Sequence, residues 1–447
     1  MTDNQQEKDS NANYLALVET ALDIAKQTGC SQAEAAIGLE DGLSASVRMS
    51  EVETLEYHRD KGLGITVYFG NCKGSASTSD FSTDSIRATV EAAGRIAKYT
   101  GEDECAGLAD KDMQAWDYPD LDLCHPWNID SEQAIDLALE AEQFGLEFDK
   151  RISNSDGASV NSHTGFHAYG NTNGFLGHYP TSRHSISCTL IGEDNVGMQR
   201  DYWYTVSRNS AGLDSAKKIG HEAARRTLAK LDARKLKTCE APVLYSPEMA
   251  SGLIGHFVGA VRGGSQYRQT SFLLDRCGTQ VFPDWVTLTE NPHIAGGLGS
   301  APYDSEGVAT QKSDLIRDGV LQRYVLDSYS ARRLKLQTTG NAGGLHNLIA
   351  STGDQSMEDL IKQMGTGLYI TELMGQGVNG VTGDYSRGAA GFWIENGEIQ
   401  YPVEEITVAG NLKDMFMQIQ AISREIDVRR NIQTGAILID NMTIAGS

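Results

Sequence analysis

The sequence predicts an α+β protein, with an N-terminal domain of helices and antiparallel strands followed by a glycine-rich, β-dominated C-terminal domain. Three observations carry this reading. Helical apolar spacing and alternating strand-like runs recur in blocks over the first 240 or so residues. Beyond Pro242 the pattern changes to short strands and loops with few helices. The chain has 47 glycines against 9 prolines in 447 residues, which suggests many tight β connections. A single core seldom serves such a length, so two domains are expected, 14–240 and 241–447, behind a polar stretch, 1–13, expected to be a disordered tail.

Taken in order, Tyr14 to Thr28 has helical spacing and stops at Gly29. Strands are expected at Ala33 to Leu39, Leu43 to Met49, Val52 to Arg59, Leu63 to Phe69 and Lys73 to Ser77. A helix from Asp84 to Tyr99 follows the cap residues Ser82 and Thr83. After an acidic connector, Gly101 to Asn128, Asp130 caps a helix reaching about Phe148. Strands at Ser159 to Tyr169, Gly174 to Tyr179, Arg183 to Ile191 and Met198 to Val206 lead to a helix from Ser215 to Leu231. Helix, strands, helix is therefore spelled twice, either an architectural duplication or a chance recurrence of αβ layers, since no residue-level repetition accompanies it. In the second domain, Ser246 and Pro247 start a helix over Glu248 to Val261, ended by Gly263-Gly264. A small helix is expected at Met357 to Met364, a last one at Leu412 to Arg424 and a terminal strand at Gly435 to Ile439.

A net charge of −22 and a pI near 4.8 repel phosphate backbones and acidic membrane surfaces, which argues against direct nucleic-acid or membrane binding. No apolar run approaches membrane-spanning length and the N-terminus lacks a signal-peptide pattern, so a cytoplasmic protein is expected. The seven cysteines, at 30, 72, 105, 124, 188, 239 and 277, form no C-x-x-C pair and suit reduced thiols.

The densest chemical signal is the run from Gly365 to Asn411. A strand-like stretch is followed by Gly375, Gly377, Gly380, Gly383, Gly388 and Gly391, too many glycines for a continuous helix or strand. Such backbone can lie against an extended peptide, and Gly375, Gly377, Gly380, Asp384, Ser386 and Arg387 are the peptide-binding candidates. Asn396-Gly397 marks a tight turn behind them.

Other motifs fall short of chemistry. His221-Glu222-Ala-Ala-Arg225 opens like H-E-x-x-H but has arginine at the second ligand position, and reads as a charged helix face. Gly375-Gln-Gly377-Val-Asn-Gly380 fits G-x-G-x-x-G, yet no helix follows to hold a pyrophosphate. Ser386 lies outside any G-x-S-x-G elbow. His163, His167, His178 and His184 sit among paired strands, where some can meet around a metal, although strand histidines are usually packing residues. His346 reads as a lone turn residue. The Arg332-Arg333 and Arg429-Arg430 pairs can grip carboxylates or balance local charge.

The segments SGLIGHFVGAVRGGSQYRQTSFLLD, PYDSEGV, SYSARRL, GLYITELMGQGVNGVTGDYSRGAAGFW, YPVEEITVAGNLKDM and AILIDNMTIAG closely resemble the TldD/PmbA family, on the side of its PmbA (TldE) branch. The likeness covers residues 14 to 447. It implies one subunit of a cytoplasmic metalloprotease, in which one TldD and one TldE chain enclose a chamber that processes or degrades flexible peptides. The family was first named as a modulator of DNA gyrase.

The metal-bearing branch carries H-E-x-x-x-H on the helix equivalent to Gly252 to Arg262. In that register His256 keeps the first ligand, Phe257 stands for the general-base glutamate and Val261 for the second histidine. The branch's C-terminal cysteine also has no counterpart, because no cysteine follows Cys277 and the nearest region reads Gln433-Thr434-Gly435. The resemblance thus implies no catalytic residue and no metal here, with zinc in a TldD-like partner subunit and this chain as chamber wall and peptide binder. Two rivals remain: a homodimeric peptidase with an unrecognised site, and a non-enzymatic regulator of gyrase or another protein.

Overall fold

The computed structural model describes residues 3–446, with side chains from Ala12 onward. Helix α1 spans Asp3–Gln27 and so occupies most of the stretch expected to be a tail. No glycine or proline interrupts residues 3–13, so the helix specified by the later apolar spacing continues backward. Met1 and Thr2 lie outside the described residues. After α1 come β1 (Gln32–Arg48), β2 (Glu51–Phe69), β3 (Cys72–Thr78) and α2 (Thr83–Tyr99). The second block is α3 (Ser131–Leu146), β4 (Ile152–Asn171), β5 (Leu176–Glu193), β6 (Met198–Ser207) and α4 (Ala216–Ala229).

Several strands that the sequence splits are continuous. The runs either side of Gly42 are one strand, β1, and those either side of Gly62 are one strand, β2. Both glycines keep their place because β1 is hydrogen-bonded along its length to β2 on one side and β4 on the other. The sheet order β3-β2-β1-β4-β5-β6 is antiparallel throughout, and the two blocks meet where β1 pairs with β4, from Glu34↔Asn171 to Val47↔Ala158. Each block is thus the other's mirror in strand order. Helices α1 and α2 cover one half through Val18, Leu22, Ile37, Ile65, Ile86 and Val90. Helices α3 and α4 cover the other through Val47, Ala138, Ile186, Leu190 and Ile219. All four pack on one face, so period-2 alternation leaves Glu40, Gly42, His58, His163 and His167 on the face without helices.

The C-terminal part holds β7 (Cys239–Tyr245), α5 (Pro247–Val261), α6 (Gly263–Tyr267), β8 (Leu288–Glu290), β9 (Ser313–Arg317), β10 (Val320–Leu321), α7 (Ser328–Leu334), β11 (Leu348–Ala350) and α8 (Met357–Met364). It continues with β12 (Gly367–Met374), β13 (Asp384–Glu395), β14 (Glu398–Asn411), α9 (Leu412–Met417), β15 (Ile419–Ile422), β16 (Ile432–Gln433) and β17 (Ile437–Ala445). The last expected helix is cut short because Ile419, Ala421 and Ile422 pair with β17 instead. Strands β14-β13-β12-β7-β17 form one sheet, and pairing of Val408 with Ile444 joins β14 back to β17, closing it into a ring. A second sheet runs β10-β9-β8-β11-β16.

The two parts are fastened by charge as well as by packing. Glu248, in the first turn of α5, accepts from Arg226 of α4 at 3.3 Å and from Arg429 at 3.1 Å. The Arg429 guanidinium lies 3.9 Å from the Trp203 ring of β6. The 101–128 connector also docks on the C-terminal part: Ala115 donates its N–H to Gly307 and Arg332 donates to the carbonyls of Cys105 and Gly107.

Beside this seam lie two acids, Asp304 and Glu306. Burial pushes the Asp304 carboxyl up to about 6, against the backbone N–H groups of Ala342, Val308 and Glu306 that hold its charge. Burial, aided by Asp304, pushes Glu306 up to about 7. The unfolded chain releases these protons near ordinary carboxyl values, so folding becomes less favourable as pH rises through that window. Glu306→Gln keeps an acceptor for the Ser328 N–H, which now bonds Oε2 at 3.0 Å, without the charge. Urea unfolding is expected to show the variant gaining on the wild type between pH 5.5 and 8, by on the order of 2 kcal/mol; a pH-independent difference would refute this.

Candidate functional site

Helix α5 is two-faced. Leu253, Ile254, Phe257, Val258 and Val261 are buried in the main core, with the Phe257 ring 5.1 Å from Phe282 and 6.1 Å from Phe416. Gly252, Gly255, His256 and Gly259 form the opposite stripe, at i, i+3, i+4 and i+7. Added β-carbons at Gly252 and Gly259 would meet no atom within 4 Å. The stripe is therefore open.

Facing it is the loop between β12 and β13. Its course is fixed by backbone bonds: Ser386 N–H to Gly377 O at 2.7 Å, Asn379 N–H to Asp384 O at 2.8 Å, and Phe272 N–H to Gly380 O at 2.9 Å. Gly377 is required by contact, since a β-carbon there would collide with the Ser386 carbonyl oxygen. Gly375 is required by conformation, at φ +76°. Gly380 has neither constraint: an added β-carbon would meet no atom within 4 Å, although its carbonyl is taken by Phe272.

Helix and loop enclose a cavity of about 370 Å³, whose wall includes Gly255, His256, Gly259, Ala260, Gly375, Gly380 and Arg387. His256 lies edge-on to the Tyr385 ring at 6.0 Å. Burial, followed by the Arg387 cation, lowers the His256 pKa, so its imidazole is neutral near neutral pH. Arg387 Nε is shut off from solvent with no hydrogen-bond partner. A neutral imidazole and a cation thus stand beside exposed main chain, an arrangement suited to carbonyl or carboxylate oxygens.

The sequence candidates divide accordingly. Gly375, Gly380, Arg387 and His256 share the cavity, while Gly377 shapes the loop behind it. Asp384 and Ser386 alternate to the exposed side of β13. Thr382 Oγ donates to the Asp384 carboxylate at 2.6 Å and Asn411 Nδ2 at 3.2 Å, tying the hairpin to α9. Phe257 and Val261 are core residues, so of the three positions assigned to the metal motif only His256 reaches the cavity. The same spacing moved back one residue gives Gly255, His256 and Ala260, all on the cavity wall.

Elsewhere, His221 packs against Phe144 and Phe148 while Glu222 pairs with Arg225. His184 is buried, bonded to Ser162 Oγ and the His125 carbonyl. His178 lies against Phe166 and His167 against Tyr179, so these strand histidines do not converge. His346 is no lone turn residue: its Nδ1 lies 2.9 Å from Glu290, which also takes Arg323 and Asn341. Sequence spacing gave no sign of that pairing, because the partners are 56 residues apart.

A zinc ion of the kind the resemblance implies for the metal-bearing branch does not fit the α5 cavity. Its donor set is one imidazole, with glycine and alanine at the neighbouring wall positions and a guanidinium opposite, and no carboxylate or thiol lines it.

Family profiles place three metallopeptidase domains on the chain: PmbA/TldA metallopeptidase domain 1 over residues 33–97, the central domain over 124–231 and the C-terminal domain over 238–446. The fold and these matches define a metallopeptidase-type architecture. The chain belongs to the PmbA/TldD metallopeptidase family. It is 53% identical over 431 residues to Metalloprotease PmbA of Escherichia coli O157:H7, covering 96% of this chain and 95% of the relative. Among solved structures, it is similar to a candidate modulator of DNA gyrase from Bacteroides thetaiotaomicron, with TM-score 0.92, 26% identity and full coverage of both chains. TldE from Thermococcus kodakarensis shares the fold, with TM-score 0.83 and 20% identity over 96% of this chain and all of that one.

The two loop glycines separate shape from function. Gly377→Val is expected to cost about 2 kcal/mol or more through the collision with Ser386. Gly380→Val, at an unobstructed position, is expected to leave stability within about 0.5 kcal/mol. Chemical denaturation checks both, and equal losses would contradict the described loop.

Proposed function

We propose that this chain is the PmbA/TldE-type subunit of a cytoplasmic TldD/TldE peptidase that processes flexible peptides. It would form a wall of the chamber and hold the substrate. The observation that carries the reading is the α5 cavity, where the helix presents one histidine and small residues, and β13 presents Arg387, beside the exposed glycine backbone of the loop. An extended peptide can approach Gly375 and Gly380 main chain without steric obstruction and exchange hydrogen bonds as an added strand. Arg387 takes a peptide carbonyl or terminal carboxylate, and neutral His256 orients it. The hydrolytic metal and the general base would come from the TldD-like partner. The TldE neighbour supports the pairing by its fold, and the family membership supports peptide hydrolysis as the activity of the pair.

The test is reconstitution with a metal-bearing partner and an unfolded peptide. The isolated chain is expected to be inert and the mixture active, with Arg387→Ala raising KM roughly tenfold or more at little cost in kcat. Cleavage by this chain alone would overturn the assignment. Unchanged KM in both Arg387→Ala and Gly380→Val would remove the cavity from it.

A further inference from the structure

We propose that Glu40, His58 and His163 form a binding site for one divalent transition-metal ion of the zinc class, on the face of the N-terminal sheet that carries no helices. The three residues come from adjacent strands. His58 on β2 and His163 on β4 are each directly paired with Gly42 on β1, so both rings stand over the same residue from opposite sides. Glu40 lies two residues before Gly42, on the same face. Gly42 makes the convergence possible: a β-carbon there would collide with the His58 ring and lie 2.7 Å from His163 Nδ1.

The donor atoms are already close. His163 Nδ1 is 3.1 Å and His58 Nε2 3.8 Å from Glu40 Oε1, and one donor atom from each residue falls within 4.8 Å of the others. Zinc–ligand bonds of about 2.1 Å in a tetrahedral site need donor separations of roughly 3.4 Å, a change within reach of side-chain rotation. His163 Nδ1 is buried and makes no hydrogen bond of proper geometry, so no hydrogen-bond partner has to be displaced for it to meet a metal. Two imidazoles and a carboxylate make a three-ligand set that leaves the fourth position open.

That position can be reached from a cavity of about 530 Å³ lined by Glu40, His163 and His167, by Arg183 and Arg208, and by Ser300 of the second domain. This cavity shares no wall residue with the α5 cavity. The fourth ligand fitting these surroundings is a carboxylate or carbonyl oxygen, with Arg183 as a further partner, since Arg208 is held by the carbonyls of Gly297, Leu123, Ser182 and Leu298.

The experiment is titration of the chelator-treated full chain with Co²⁺, read by its ligand-field absorption, followed by displacement with Zn²⁺. One equivalent with a tetrahedral or five-coordinate spectrum is expected, lost in His58→Ala and in His163→Ala and weakened roughly tenfold or more in Glu40→Gln. His256→Ala is expected to bind as the wild type does. Gly42→Ala keeps all three donors but forces the rings apart, and is expected to lose affinity while circular dichroism stays native. No binding by the wild-type chain, or unchanged binding in His58→Ala and His163→Ala, would overturn the proposal. Loss only in His256→Ala would move the metal to α5.

Discussion

The functional geometry depends on how Phe257 is buried. Its ring is fully enclosed and set edge-on to Phe282 and Phe416, which fixes the rotation of α5 about its own axis. Turning the helix by one residue, about 100°, would draw Phe257 out of the core and push His256 in, at a cost of several kcal/mol in lost apolar contact. Because that rotation is closed, the glycine stripe must face the loop. The salt bridges from Glu248 to Arg226 and Arg429 then fix where the helix begins. One aromatic contact thus sets the orientation of the helix, and one charged cluster sets its origin.

The N-terminal sheet shows how the same logic creates a second polar surface. Four helices all pack on one face, so every other residue of six strands is left facing the rest of the molecule. Two cavities, with His163 and His167 among their linings, lie between that face and the C-terminal part. In a chain of net charge −22, Arg183 and Arg208 on the wall of the first cavity are a local exception to the acidic surface, whereas the second cavity has no arginine in its wall and includes Asp304.

How legible this was depends on the range of the causes. Element types were readable where period and caps act locally: the Asp130 capping box and the Pro247 start both appear as their residues imply. Strand lengths were not, since Gly42 and Gly62 look like breaks until pairing on both sides of β1 is known. The glycine loop was legible as backbone exposed for approach, but Gly377 and Gly380 cannot be told apart without Ser386 lying across the former. Asp384 and Ser386 stand with Arg387 among the candidates from the sequence, whereas strand alternation in β13 sends them to the other side. Glu290 with His346, and Glu40 with His58, are contacts of the sheet register and leave no mark in local sequence.

The metal motif itself turns on helical angle. Positions i, i+1 and i+5 span about 140°, with i+1 and i+5 only about 40° apart. Placed at His256, Phe257 and Val261, the second and third positions fall together in the core, where no ligand could leave without breaking the packing. Placed at Gly255, His256 and Ala260, all three reach the cavity wall. Burial therefore favours the earlier register, in which His256 stands where a general base would be and both ligand positions are small. In that register no imidazole remains at a ligand position, and the space two imidazoles would fill is left as cavity beside bare backbone. Two small residues, Gly255 and Ala260, then account both for the lack of ligand side chains at those positions and for the open space beside the loop glycines.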